Sequence, residues 1–152
     1  GNFMNIELVR GFGKCVECGK MTSYCIYFDK LDFYICKHCG NIIVKVIDSS
    51  VPVVCCGEKM VELVPGEVDG AVEKHVPEYV VENNIVKVQI GAVEHPMIEA
   101  HYIQFVALET NQGYQIKHLH ANEKPVVHFA LNEGEEVVAV YEYCNLHGLW
   151  KK

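Results

Sequence analysis

Asn83-Asn84-Ile85-Val86-Lys87-Val88-Gln89-Ile90 decides the fold class of this chain. After the Asn-Asn turn signal, apolar and polar residues alternate with a period of two, the pattern of a strand with one buried face. Further on, Tyr102-Ile103-Gln104-Phe105-Val106-Ala107-Leu108 is rich in strand formers. The turn Asn111-Gln112-Gly113 leads into Tyr114-Gln115-Ile116-Lys117-His118-Leu119. Pro125-Val126-Val127-His128-Phe129-Ala130-Leu131 and Glu136-Val137-Val138-Ala139-Val140-Tyr141-Glu142-Tyr143 flank Asn132-Glu133-Gly134. Short strands at this spacing, with no long helical pattern, predict an all-β fold whose C-terminal part is an antiparallel β-sandwich of about 85 residues.

Upstream of that region the composition changes. Seven of the eight cysteines lie between Cys15 and Cys56, and seven of the eight histidines lie after position 70. The shift sets a boundary near Val64-Pro65-Gly66-Glu67. The N-terminal part is rich in cysteine and short of core residues, so it is expected to depend on bound metal for its stability. A net charge of −7 excludes a general nucleic-acid binder, and no basic stripe runs along the chain. No apolar run reaches membrane-spanning length, and no basic-then-apolar leader is recognisable at the N-terminus, so the expected location is the cytoplasm. In that compartment eight cysteines point to metal ligation rather than disulfides.

Two candidate metal sites follow from the residue types. Cys36-Lys37-His38-Cys39 is a CxxC knuckle, in which one tight turn offers two sulfurs, and Cys55-Cys56 is an adjacent pair. Adjacent side chains point apart on an extended strand, so both sulfurs reach one ion only if the backbone bends; Gly57 permits this. The expected site is a tetrahedral tetrathiolate that suits iron or zinc, and a purely structural zinc is the plainer reading. His38 is expected to be solvated. Cys15-Val16-Glu17-Cys18 is a second CxxC with Cys25 nearby. Three cysteines do not complete a tetrahedral site, and no role is assigned to them.

The second candidate set is His75, His95, His101, Cys144 and His147. Four imidazoles and one thiolate are too many for a four-coordinate structural zinc. They suit a redox metal, iron foremost, with a coordination position left open. A lone histidine at a strand end is more often solvated than ligating, but the combination with a CxxH pair reverses that. His75 precedes Val76-Pro77 and is expected in a loop. All five positions fall at loops or strand ends that can converge on one end of a sandwich. His118, His120 and His128 are expected on solvated strand faces.

Together these residues resemble the desulfoferrodoxin type of superoxide reductase over residues 33 to 152. The resemblance rests on Tyr34-Ile35-Cys36-Lys37-His38-Cys39-Gly40-Asn41, Cys55-Cys56-Gly57-Glu58-Lys59-Met60, Glu73-Lys74-His75-Val76-Pro77, Glu94-His95-Pro96-Met97 and Tyr143-Cys144-Asn145-Leu146-His147-Gly148. It implies an extension over 1–31, a desulforedoxin-like tetra-cysteine domain over 32–66 and an immunoglobulin-like sandwich over 67–152. It also implies iron at Cys36, Cys39, Cys55 and Cys56, with zinc a possible occupant. A square-pyramidal iron is implied in the sandwich, with His75, His95, His101 and His147 equatorial and Cys144 axial. The implied activity is one-electron reduction of superoxide to hydrogen peroxide without dioxygen release, with a small electron donor such as rubredoxin and a homodimeric assembly. Lys74 is the implied guide for the anionic substrate, and Glu73 the carboxylate that occupies the open position after turnover. A one-electron iron carrier and a zinc-stabilised interaction module are the competing classes.

Overall fold

The computed structural model describes residues 31–152, together with the backbone pairing of β1 (Gly13–Lys14) with β2 (Met21–Thr22). Cys15, Cys18 and Cys25 lie outside the described residues. The chain divides into two compact units, residues 1–62 and 63–152. No helix among the described residues is long and apolar enough to cross a membrane.

In the first unit, β3 (Phe33–Ile35) pairs on one side with β4 (Ile42–Val44) and on the other with β7 (Val61–Glu62), both antiparallel. A two-stranded ribbon joins β5 (Val54–Cys55) to β6 (Glu58–Lys59). The β3–β4 connection is the Cys36–Cys39 knuckle. It is closed by Cys36 N–H donating to Asn41 C=O at 2.9 Å and Gly40 N–H donating to Cys36 C=O at 2.8 Å. Among residues 31–62 only Leu31, Phe33 and Cys36 are fully buried, little apolar surface for an independent core.

The second unit is the expected sandwich, with seven strands in two antiparallel sheets. One sheet has the order β11 (Gly113–His118), β10 (Ile103–Thr110), β13 (Val137–Cys144), β14 (Gly148–Lys151). The other runs β12 (Val126–Ala130), β9 (Ile85–Ile90), β8 (Pro77–Glu82). The two-residue alternation after Asn83-Asn84 is realised on β9, where Val86, Val88 and Ile90 face inward and Lys87 and Gln89 face out. They meet Val127 and Phe129 of β12, Ile103, Val106 and Leu108 of β10, and Val140 and Cys144 of β13. Each fully buried side chain of this size contributes roughly 1.5–3 kcal/mol. Asn83 and Asn84 have φ of 52° and 63°, the left-handed pair that a two-residue hairpin turn requires.

A β-bulge near Gln104 rephases β10. Ile103 pairs with Cys144, but Phe105 pairs with Tyr143. The extra residue lets Ile103 face the core at one end of the strand and Val106 and Leu108 at the other. Cys144 thereby ends β13 on the core side, fully buried.

The residues before Pro77 differ from expectation. Val72–His75 forms one α-helical turn, α1, rather than an irregular loop. The helix stops there because Val76, which precedes proline, adopts an extended conformation with φ −68° and ψ 124°.

Candidate metal centres

The four thiols of the first unit converge. The sulfurs of Cys36, Cys39, Cys55 and Cys56 all lie within 4.8 Å of one another. The knuckle presents two of them, with Cys39 N–H donating to Cys36 Sγ at 3.5 Å. The adjacent pair is solved by a hairpin turn. Cys56 and Gly57 both adopt positive φ, 53° and 77°, so the chain reverses between the two cysteines' side chains instead of continuing extended. Asn41 Nδ2 donates to Cys55 Sγ at 3.6 Å. These contacts polarise the thiols unequally. Cys36 is lowered to about 6, first by the Cys39 backbone N–H, whereas Cys56 is pushed up to about 12, first by Cys39. Four sulfurs this close do not all ionise unaided, and a cation at their centre is what would deprotonate them together. The tetrathiolate geometry fits iron or zinc.

The second group is built from the turn before β8, the β9–β10 connection and the end of β13. His75 ends α1, His95 lies in the segment after β9, and His101 is held in a bridge with Ile98 just before β10. Their ligand nitrogens and Cys144 Sγ lie within 4.8 Å of one another. His75 Nδ1 donates to Ala71 C=O at 2.8 Å, and His95 Nδ1 donates to Pro96 C=O at 2.6 Å. Each bond fixes the Nδ1–H tautomer and leaves Nε2 bare. The two bare nitrogens face each other at 3.1 Å, lone pair toward lone pair. His101 Nε2 is buried and has no hydrogen-bond partner among the described residues. That arrangement is unfavourable when empty and favourable around a cation.

Burial keeps the imidazoles neutral. It lowers His75 and His101 and pushes His95 down to about 4. The same burial raises the Cys144 thiol, against the backbone N–H groups of Leu146 and His147 that favour its thiolate. Three neutral imidazoles with one thiol suit iron, whose charge would deprotonate the thiol outright. His147 stands beside this group. Its ring centroid is 4.9 Å from His75 and 5.1 Å from His101, and its Nδ1 is turned to Asp69 C=O at 2.8 Å. Glu73 and Lys74 are exposed on α1 next to His75. The Lys74 charge is among the influences that disfavour protonation of His75 and His101. His38, His118, His120 and His128 are exposed.

Several residues around this group were not legible as functional. Trp150 stacks on His75 with centroids 5.0 Å apart and donates Nε1–H to His147 C=O at 2.9 Å. Gly70 is packed so closely that a Cβ there would stand 3.1 Å from Trp150 and 3.2 Å from His75. Glu142 pairs with Val106 and Trp150 and is fully buried. Both its carboxyl oxygens lack partners among the described residues, and burial pushes its pKa up to about 9. Only the position of Glu142, two residues before Cys144 within an apolar strand, hinted at this.

Comparison with known proteins agrees with the geometry. A family model described as Desulfoferrodoxin matches residues 67–152. The desulfoferrodoxin of Syntrophotalea carbinolica is 43% identical over 122 residues, covering 80% of this chain and 95% of its own. That of Nitratidesulfovibrio vulgaris is 41% identical over 123 residues, covering 81% and 96%. Among solved structures, the superoxide reductase from Treponema pallidum superposes with a TM-score of 0.69 at 37% identity, covering 82% of this chain and 99% of that one. A likeness that runs through both metal-binding units is more than a shared motif: the chain belongs to the desulfoferrodoxin family.

Proposed function

We propose that this protein is a superoxide reductase that converts superoxide, one electron and two protons to hydrogen peroxide without releasing dioxygen. The observation that carries the reading is the convergence of bare, buried imidazole nitrogens on the Cys144 thiol. The family relationship and the superoxide reductase of Treponema pallidum supply the reaction class. Iron held by this donor set would supply the electron for substrate reduction, with the Cys144 thiolate as a strongly electron-donating ligand.

The chain's own residues do the rest. His75, His95 and His101 hold the metal, with His147 as the fourth imidazole. The Nδ1–H bonds to Ala71 and Pro96 keep the first two rings in the ligating tautomer. The N–H groups of Leu146 and His147 stabilise the Cys144 thiolate. Lys74 attracts the anionic substrate to an otherwise acidic protein and orients a proton-donating water. Glu73, exposed beside His75, would offer a hard carboxylate oxygen to the metal. Cys36, Cys39, Cys55 and Cys56 hold the second iron in the domain over 32–66, and 67–152 forms the reductase domain. A small one-electron protein such as rubredoxin restores the reduced state; the assembly is a homodimer, and the setting is cytoplasmic.

Pulse radiolysis of the reduced, iron-loaded protein tests the reaction. A rapid bleach or rise at the histidine iron on mixing with superoxide is expected, slowed in Lys74→Ala and nearly unchanged in Glu73→Ala. No rapid reaction sinks the enzymatic reading in favour of an electron carrier. A colourless protein that carries zinc at both groups sinks both.

A further inference from the structure

His75 and His95 are oriented through their rings, each by an Nδ1–H bond to a backbone carbonyl. His101 forms no such ring–backbone bond among the described residues. The backbone on both sides of His101 is held instead, and a single side chain does it. Asn145 Oδ1 accepts from Tyr102 N–H at 2.9 Å, and Asn145 Nδ2 donates to Ala100 C=O at 3.1 Å. The Asn145 backbone N–H donates to Tyr102 C=O at 3.2 Å. The amide orientation is unambiguous, because reversing it would set donor against donor at Tyr102 and acceptor against acceptor at Ala100.

The need for this clamp follows from where the ladder ends. The β10–β13 ladder ends at the Ile103–Cys144 pair, and Tyr102 lies one residue outside the strand. Its C=O still takes the Asn145 backbone N–H, but its own N–H has no ladder partner and must be satisfied by a side chain. Asn145 follows Cys144 directly, so the residue that satisfies them belongs to the strand end carrying the thiol.

We propose that Asn145 is a positioning residue: its amide clamps the backbone on both sides of His101 to the end of β13, fixing one imidazole relative to the Cys144 sulfur. The inference rests on reading the histidine–cysteine group as a metal centre. Without the side-chain amide, His101 keeps its bridge to Ile98, with N–H and C=O bonds of 2.9 and 3.0 Å, and the link to the end of β13 is reduced to the single backbone bond from Asn145 N–H to Tyr102 C=O. That bridge lies within the β9–β10 connection and makes no bond to β13.

The test uses the iron-loaded protein with Asn145→Ala and Asn145→Ser, the second in case the first does not fold. Three quantities are read: the ferric EPR signal and visible thiolate band of the histidine iron, its loss to a chelator relative to the four-thiol iron in the same chain, and the melting temperature of the metal-free protein. Outer contacts to metal ligands commonly change affinity by about 10–100-fold. The histidine iron is therefore expected to be lost about 10–100-fold faster, with altered EPR rhombicity and a shifted thiolate band. The four-thiol iron serves as internal reference. A wild-type protein that takes up no iron at the histidine group overturns the metal reading itself. Wild-type uptake, with variants that retain this iron within two-fold and give the same spectrum, overturns the role of Asn145 alone, whatever happens to the melting temperature.

Discussion

Gly91 offers a quantitative test of how α1 is held. Its N–H donates to Val76 C=O at 3.2 Å, and Val93 N–H donates to Glu73 C=O at 2.9 Å, so residues 91–93 wrap the turn that carries Glu73, Lys74 and His75. Gly91 has φ +85°, and a Cβ there would lie 2.4 Å from Val93 O and 2.6 Å from Lys74 O. Both obstacles are backbone atoms, so neither can rotate away. Gly134 has nearly the same φ, +80°, but a Cβ there would meet nothing within 4 Å. Alanine at either position incurs the left-handed penalty of about 1–2 kcal/mol. Only Gly91→Ala adds overpacking, about 1–3 kcal/mol. Gly91→Ala should therefore be less stable than Gly134→Ala by about 1–3 kcal/mol, which in a unit of this size lowers Tm by a further 4–8 °C, roughly, per kcal/mol. Urea and thermal unfolding of the two variants measure it, and the superoxide rate should fall in Gly91→Ala because Lys74 moves with its own carbonyl. Equal destabilisation of the two variants would refute the close-approach reasoning.

Three other outcomes are expected. Glu142 is held neutral when folded, its pKa pushed up to about 9, but ionises near 4.3, roughly, when unfolded. The folded value is the higher, so stability is fullest below the unfolded pKa and falls as pH rises toward the folded one. Glu142→Gln, neutral in both states, should match the metal-free wild type near pH 4 and exceed it by up to about 3 kcal/mol at pH 7; a stability difference that does not vary with pH contradicts this. Trp150 is the single tryptophan of the chain and stacks 5.0 Å from His75. Iron uptake at the histidine group should strongly quench its fluorescence and zinc uptake should not, and unchanged emission with iron would place the metal elsewhere. Removing metal from the four thiols should abolish hydrogen-exchange protection of Phe33–Ile35 and Ile42–Val44, since few buried side chains remain to hold them; persistent protection would show that the small unit folds without it.

Much of the sandwich was readable because β9, β12 and β13 carry a strong two-residue period or a long run of strand formers. Two strands escaped. β8 begins at Pro77 and leaves Val80 and Val81 exposed, which is the character of an edge strand, and β14 is only Gly148–Lys151. The donor residues were legible through their types and motifs, but their supports were not. A left-handed Cys56, the Nδ1 bonds of His75 and His95 to carbonyls, and the clamp by Asn145 all depend on backbone groups brought together by tertiary structure. No side-chain pattern announces which carbonyl will face a ring nitrogen. The helical turn Val72–His75 was missed because four residues are too few to produce periodicity.

The order of the two donor sets along the chain has a consequence for assembly in the cell. Cys36, Cys39, Cys55 and Cys56 all precede α1 and every strand of the sandwich, whereas Cys144 sits at the end of β13. At a synthesis rate of about 5–20 residues per second, the nascent chain offers a finished thiolate cage for several seconds before the second site has its sulfur. During that interval any thiophilic ion in the surroundings meets one complete chelator and one that is still lacking a donor. Metal supply during translation thus bears first on the small unit, and the second donor set is complete only once Cys144 has been made.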